Sequence, residues 1–346
     1  MGIVANRSTK AAAVRRGLLA AMAACAGFAH GAAMARDEHD VVTAGVAAVE
    51  VIVPLPRSVP ADPARAALGG RLFADPLLSR DGSRSCASCH PLEHGGVDGL
   101  PRARASDGRA LLRNSPTVFN LAFDLFYNWD GATESLPTHD ARVLRNPALM
   151  GMDEQELLVR LKRDPSYRQA FAQCYPGGIS VGNVLDALAT YERTLVTPDS
   201  RFDRFLRGER SALNAEELRG YGLFRSLGCI ACHQGQNIGG NLLQRFGVFE
   251  DTSAGRRAGE PVDYGRYVAT GDEADREVFR VPSLRNVAVT APYFHDGRAP
   301  TLSMAVATMA RVQLGRNVPE QDIASIVAFL GTLTGRYQDQ ELRAPP

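Results

Sequence analysis

The sequence has almost no excess charge of either sign, since 39 Lys and Arg residues face 38 Asp and Glu residues in a chain of 346. A near-neutral chain offers no broad basic surface to a nucleic-acid backbone or to anionic lipid, so we expect no binding to nucleic acid. Convincing strand patterns are also scarce. The composition is 45% hydrophobic, which excludes a disordered chain and is enough to bury the cores of two domains.

Beyond the first 35 residues, no apolar run is long enough to cross a bilayer. The N-terminus carries four basic residues and then an apolar run over 17–33, which ends in Ala33-Met34-Ala35. This pattern predicts a secretory signal peptide over 1–35, followed by a soluble, exported protein. An N-terminal membrane anchor and a lipoprotein site at Cys25 are the alternatives.

Four of the six cysteines depart from the disulfide spacing that an exported protein would ordinarily use. They form two Cys-x-x-Cys-His segments: Cys86, Cys89 and His90, then Cys229, Cys232 and His233. Two thiols one helical turn apart can add to the two vinyl groups of a porphyrin, and the adjacent imidazole can reach its iron. Two covalently bound haem c groups are therefore predicted. A zinc site would need four ligands together, and a redox dithiol would not need the histidine.

The segments around the two motifs resemble each other, because Gly70-Arg71-Leu72-Phe73 precedes the first and Gly222-Leu223-Phe224 the second. We expect a mainly α fold with two c-type cytochrome domains, each binding one covalent haem, joined by long irregular loops. The predicted bounds are 36–199 and 200–335, with a C-terminal tail over 336–346. Helices are predicted from a cap at Asp153 to Pro165, over about 184–195, and from about 319 to 335. The segment 241–276 is predicted to be loop.

The axial ligands opposite the two histidines decide the function. His plus Met gives a high-potential haem suited to electron transfer, whereas a His-only iron keeps a site for oxygen chemistry. Four methionines lie outside the signal segment: Met150, Met152, Met304 and Met309. A methionine on a helix is more often core than ligand, so the residues alone do not choose among these four.

Three further blocks resemble the bacterial di-haem cytochrome c peroxidase family. These are residues 113–120 (RNSPTVFN), Trp129-Asp130-Gly131, and residues 291–295 (APYFH). Together with both haem motifs, the likeness extends from about 68 to 335. It implies that the first haem reacts with hydrogen peroxide and that the second transfers electrons from a small periplasmic cytochrome c or copper protein. It also implies a periplasmic homodimer.

The resemblance also implies roles for individual residues. Met309 matches the axial ligand opposite His233, where a related enzyme of methylamine metabolism uses tyrosine. Trp129, otherwise read as a core aromatic, matches a residue between the haems that relays electrons. Asn114, Thr290 and Pro292 match positions that hold calcium, with water supplying the remaining ligands. Arg280 and His295 match positions near the haems and their propionates.

Two family features are absent from this chain. Ser106 stands where a histidine often caps the first haem, and Leu149 stands in place of the distal glutamate. Leucine carries no proton, so we infer that His139, ten residues after Trp129, has taken over as the base. The alternatives are that His139 coordinates the first iron or lies on the surface.

The expected function is reduction of hydrogen peroxide to water. Two rival functions differ from it in kind. One is a di-haem oxidase that modifies a protein substrate, which the missing glutamate leaves open and Met309 disfavours. The other is a non-enzymatic di-haem electron carrier, which requires both irons to be six-coordinate.

Overall fold

A computed structural model describes residues 51–252 and 261–346. The predicted signal peptide over 1–35 and Cys25 lie outside the described residues. Within them the chain is mainly helical, as predicted. The helices are α1 (Pro63–Ala74), α2 (Cys86–Cys89), α3 (Leu136–Arg145), α4 (Glu154–Arg163), α5 (Pro165–Cys174), α6 (Val181–Thr194), α7 (Arg201–Leu206), α8 (Ala215–Ser226), α9 (Tyr267–Thr270), α10 (Leu302–Leu314) and α11 (Glu320–Gly331).

The strands are short and form two antiparallel pairs. Strand β1 (Leu243–Arg245) pairs with β2 (Val278–Arg280), and β3 (Arg336–Tyr337) pairs with β4 (Gln340–Glu341). The segment predicted as loop, 241–276, therefore contains β1 and α9. Elements of three or four residues are too short to produce a recognisable period, so neither was predicted from the sequence.

The start of α4 agrees with the cap predicted at Asp153. Asp153 accepts hydrogen bonds from the amides of Gln155 and Glu156 at the start of α4, because its carboxylate satisfies amides that have no partner within the helix. Ser180 caps α6 in the same way, through the amide of Asn183. The predicted third helix is observed as α11. No helix of the described residues has the length and hydropathy needed to cross a membrane.

The buried apolar side chains form two main clusters. The N-terminal cluster draws on α1 and α3–α6, and it also includes Leu342 from the C-terminal tail. The C-terminal cluster draws on α7, α8 and α11, and it includes Ile52 from before α1. Each end of the described chain thus packs on the cluster that is remote from it in sequence. The domain bounds given above stay a prediction.

Each cluster contains one helix pair in close contact, with a glycine at the crossing. Gly69 of α1 lies against the backbone of Ala187 in α6, and Gly220 of α8 lies against the backbone of Ser325 in α11. A Cβ atom at either glycine would overlap with a carbonyl oxygen. The same close contact at a glycine in both halves agrees with the duplicated cytochrome unit that the sequence predicts.

Gly220→Ala is expected to lower the free energy of unfolding by about 1–3 kcal/mol, because helix α11 must move away from the added methyl group. Gly222→Ala in the same helix is the matched control, since nothing lies within 4 Å of its added Cβ. That exposed substitution should raise stability by up to about 1 kcal/mol through helix propensity. Urea denaturation measures both, and equal effects from the two variants would refute the close crossing.

Candidate functional site

The first Cys-x-x-Cys-His motif forms the short helix α2. The amide of Ser85 donates to the hydroxyl of Ser88 at 2.9 Å, and the two residues form a capping box that fixes the start of the helix. The chain leaves the helix at His90, whose Nδ1 lies 3.0 Å from the carbonyl oxygen of Gly96. A carbonyl can only accept, so Nδ1 carries the hydrogen and Nε2 is the nitrogen that can bind a metal.

Burial keeps the histidines of both motifs neutral, as a metal ligand must be. It lowers the pKa of His90, and it lowers the pKa of His233 to about 4. Burial also raises the pKa of the Cys86 thiol well above its ordinary value, and it raises that of Cys229 to about 11. A redox dithiol needs the opposite shift, so the thiol environment disfavours that alternative.

The second motif lies in a largely apolar cavity of about 230 Å³. The chain turns into this motif at Gly228, whose φ of 101° is in the left-handed region. The cavity brings together ten of the residues singled out in the sequence: Cys229, Cys232, His233, Met309, Trp129, Arg280, His295, Asn114, Thr290 and Pro292. Of the four methionines considered, only Met309 lines this cavity.

These surroundings fit a covalently bound haem. A neutral histidine, two cysteine side chains and a thioether line one apolar space, which is the set of groups that a c-type haem uses. A zinc site is not supported, because residues 51–252 and 261–346 contain no group of three or more His, Cys, Asp or Glu side chains that could hold a metal ion. A calcium site built from carbonyl and amide oxygens would not form such a group.

Trp129 is part of a hydrogen-bonded chain with two other predicted residues. Its indole Nε1 donates to the carbonyl oxygen of Asn114 at 2.9 Å. The amide of Asn114 in turn donates to the carbonyl oxygen of His295 at 2.6 Å. The Asn114 side chain is held separately, because its Nδ2 donates to the carbonyl oxygen of Leu100 at 2.7 Å. The tryptophan is 8% exposed, so its ring is fixed in place by both burial and hydrogen bonding.

Aromatic rings continue from Trp129 toward Met309. The imidazole of His295 lies 6.4 Å from the indole and stacks on Phe279 at 4.1 Å between ring centroids. Phe246 lies 5.9 Å from the same imidazole and belongs to the small apolar cluster that Met309 joins. Burial lowers the pKa of His295 to about 4, so this ring is neutral.

Arg280 is buried and its charge is already paired. Its Nη1 donates to Asp124, a partner 156 residues away in sequence, and its Nε donates to the carbonyl oxygen of Asn128 at 3.0 Å. The backbone amide of Arg280 donates to the carbonyl oxygen of Trp129 at 2.8 Å. Sequence reasoning missed Asp124, because no local pattern links it to a partner so distant in the chain.

His139 lies on α3, which begins at a cap on Ser135. Its ring is 6.0 Å from that of Tyr127. Burial lowers the pKa of His139 to about 4, and the positive charge of Arg280 acts in the same direction. The pKa of His139 also responds to protonation of His90, the histidine of the first motif.

The two positions that depart from the family pattern are neighbours. The amide of Ser106 donates to the carbonyl oxygen of Ala148 at 2.9 Å, and its hydroxyl donates to that of Pro147 at 3.3 Å. Ser106 is exposed, and Leu149 follows directly after the segment to which it is bonded. The side chains at 106 and 149 therefore belong to one region of the surface of the N-terminal half.

Comparison with known proteins gives consistent results. A family model described as di-haem cytochrome c peroxidase matches residues 63–211. Cytochrome c551 peroxidase of Nitrosomonas europaea is 41% identical over 306 residues, which cover 88% of this chain and 90% of that protein. Cytochrome c peroxidase Ccp of Escherichia coli is 42% identical over 83% of this chain, which spans only 62% of the length of that protein. A solved MauG-like protein associated with microbial copper homeostasis superimposes with a TM-score of 0.70 at 27% identity, covering 81% of this chain and 95% of that one.

Proposed function

This chain belongs to the di-haem cytochrome c peroxidase family, and from that premise we propose that it reduces hydrogen peroxide to water in the periplasm. The electrons are proposed to come singly from a small cytochrome c or copper protein. The observation that carries the proposal is the unequal surroundings of the two haem-binding histidines. His233 shares its cavity with the thioether of Met309, whereas the pKa of a second imidazole, His139, responds to protonation of His90.

We assign the haem-binding roles residue by residue. Cys86 and Cys89 attach the first haem, and Cys229 and Cys232 attach the second. His90 and His233 would each bind the iron of the haem attached beside them, and Met309 would be the further iron ligand of the C-terminal haem. When bound, these haems supply the one-electron redox chemistry. Arg280 and His295, which line the cavity of the second motif, are proposed to hold the haem edges in place.

His139 is proposed to move the proton. Peroxide reduction consumes two electrons and two protons and yields two water molecules, so a base must take the proton from one peroxide oxygen and return it to the departing oxygen. His139 is neutral because burial lowers its pKa, so its ring can accept that proton. Leu149 has no group able to do this.

Trp129 is proposed to relay electrons between the two haem sites. Its ring is fixed through the carbonyl oxygen of Asn114 and lies in the same cavity as His233 and Met309. The aromatic rings of His295, Phe279 and Phe246 extend this route on the side of the second motif. A peroxide molecule takes two electrons while the donor delivers one at a time, so a fixed connection between two redox centres serves the reaction.

A calcium ion is proposed at Asn114, Thr290 and Pro292. All three residues line the same cavity, and the bond from Asn114 Nδ2 to Leu100 orients the amide so that Oδ1 is the atom it can offer to a cation. Oxygen ligands of this kind suit calcium, with water completing the shell. Homodimer formation and export through the segment 1–35 are proposed from the family resemblance and the sequence.

The second candidate function is an oxidase that modifies a protein substrate. It is favoured by the likeness to the solved MauG-like protein and by leucine at position 149. Methionine at position 309 weighs against it, since the related enzyme of methylamine metabolism has tyrosine there.

The test is peroxide turnover with reduced cytochrome c, measured on the fully oxidised and the half-reduced holoprotein side by side. We expect turnover from both forms and a high-spin signal from the oxidised protein, because Ser106 cannot close the first iron. Turnover only after half-reduction would mean that another group caps this haem. Two low-spin haems without any peroxide reaction would leave only an electron carrier.

A further inference from the structure

Two acidic side chains meet in the interior where α3 packs on α6. Asp140 is 7% exposed and Glu192 is 6% exposed. Their carboxyl groups hydrogen-bond to each other. Two carboxylates can only accept hydrogen bonds, so a bond between them requires one of the two to carry a proton.

No basic side chain neutralises the pair directly. Among the described residues, neither Oδ2 of Asp140 nor Oε2 of Glu192 receives a hydrogen bond from a donor, and both atoms are fully buried. A fully ionised pair would place two unpaired negative charges in the interior, which costs far more free energy than retaining one proton. Burial accordingly raises the pKa of Asp140 well above its ordinary value, and it raises that of Glu192 to about 7.

The pair adjoins the first haem motif. The pKa of the Cys86 thiol is raised by burial and then by the negative charges of Glu192 and Asp140, so both carboxyl groups lie close to the residue that attaches the haem. Other titratable or charged groups face the pair from α6 and from the loop before α3. They are Arg193, Tyr191 and Tyr127. Arg193 is the cation among them. Its charge favours the ionised form of the pair, but it forms no hydrogen bond to Oδ2 of Asp140 or to Oε2 of Glu192.

We propose that Asp140 and Glu192 form a proton-binding site whose occupancy follows the redox state of the haem attached at Cys86. Reduction adds one electron close to the pair, which favours the neutral acid, so the pair takes up a proton from solvent. Oxidation releases the electron and the proton again. The pair thereby keeps the charge of the N-terminal interior nearly constant during turnover. This inference rests on the proposed attachment of a haem at Cys86, but it does not depend on any reaction with peroxide.

The experiment is a spectroelectrochemical titration of the holoprotein at a series of pH values. The reduction potential of the first haem should fall as the pH rises from the pKa of the pair with the haem oxidised to its higher pKa with the haem reduced. This range begins near the value of about 7 to which burial raises the pKa of Glu192. A fully coupled proton shifts a one-electron potential by at most about 59 mV for each tenfold change in proton concentration. Asp140→Asn and Glu192→Gln should each remove this slope. Asp186→Asn, a carboxylate of α6 that is paired with Arg65 near the surface, should keep it.

Infrared difference spectra of the wild-type protein, reduced minus oxidised, provide a readout that does not depend on whether the variants fold. They should contain a protonated-carboxyl band that both variants lack. A slope that persists in both haem-loaded variants, or the absence of that band in the wild type, would overturn the inference. A protein that shows the slope but no peroxide turnover would refute the proposed function and leave this site standing. The haem at Cys229 serves as an internal reference, because the variants should leave its potential unchanged.

Discussion

Replacing His139 with alanine is expected to lower kcat/KM for hydrogen peroxide by about 10²–10⁴-fold, the usual contribution of a positioned acid or base. The reason is that Leu149 carries no proton, while burial keeps the imidazole of His139 neutral and able to accept one. Stopped-flow reaction of the haem-loaded variant with peroxide measures the loss. Its visible spectrum should still show both haems, since the substitution removes no attachment residue.

His94→Ala is the matched control, because it removes a histidine from the same half of the chain, four residues after His90. It should retain wild-type turnover. If His139→Ala also retains full turnover, the base lies elsewhere. If the variant converts a low-spin first haem into a high-spin one, His139 is an iron ligand and the electron-carrier function gains support.

The pH profile provides a second measure of the same group. A base acts in its neutral form, and burial lowers the pKa of His139 to about 4. The rate that depends on this base should therefore be constant at neutral pH and fall as the pH drops through about 4. A histidine on the surface would instead titrate near its ordinary pKa of about 6.5.

Replacing Met309 with histidine is expected to abolish electron entry from the donor. Thioether ligation raises the haem potential, and axial ligands tune it over a range of about 0.8 V. A fall of about 0.2 V would shift a one-electron equilibrium more than a thousandfold, at 59 mV for each tenfold step. Turnover with reduced cytochrome c should therefore be lost, and redox titration should show that the potential of the second haem has dropped.

Met304→His is the control for this substitution. Met304 lies on the same helix, α10, but it is 50% exposed and does not line the cavity of His233. We expect the reduction potential of the second haem and the turnover of this variant to match those of the wild type. A lowered potential in the Met304 variant together with an unchanged one in the Met309 variant would show that the axial ligand has been assigned to the wrong methionine.

Local chemistry made much of the fold predictable. Each Cys-x-x-Cys-His motif is recognisable within five residues, and the cap at Asp153 acts on amides two and three positions away. The repeated Gly-containing segments before each motif predicted two equivalent units. The crossings at Gly69 and Gly220 agree with that prediction, because both glycines permit close contact between the paired helices.

The residues alone could not predict which of the four methionines faces the second haem motif. A helical methionine in the core and one that faces a cavity have the same local pattern, so only the resemblance selected Met309. The structure places Met309 alone of the four beside His233, because packing of α10 decides which face of that helix meets the cavity.

The sequence by itself determined the helical class, and it predicted the attachment chemistry and two equivalent units, since these depend on covalent spacing and on contacts between near neighbours. Only the tertiary structure decided that Arg280 pairs with Asp124 across 156 residues and that Asp140 meets Glu192 in the interior. Such pairs leave no periodic trace in a sequence. They arise because burial removes water from polar groups and makes each of them depend on whichever distant partner the packing supplies.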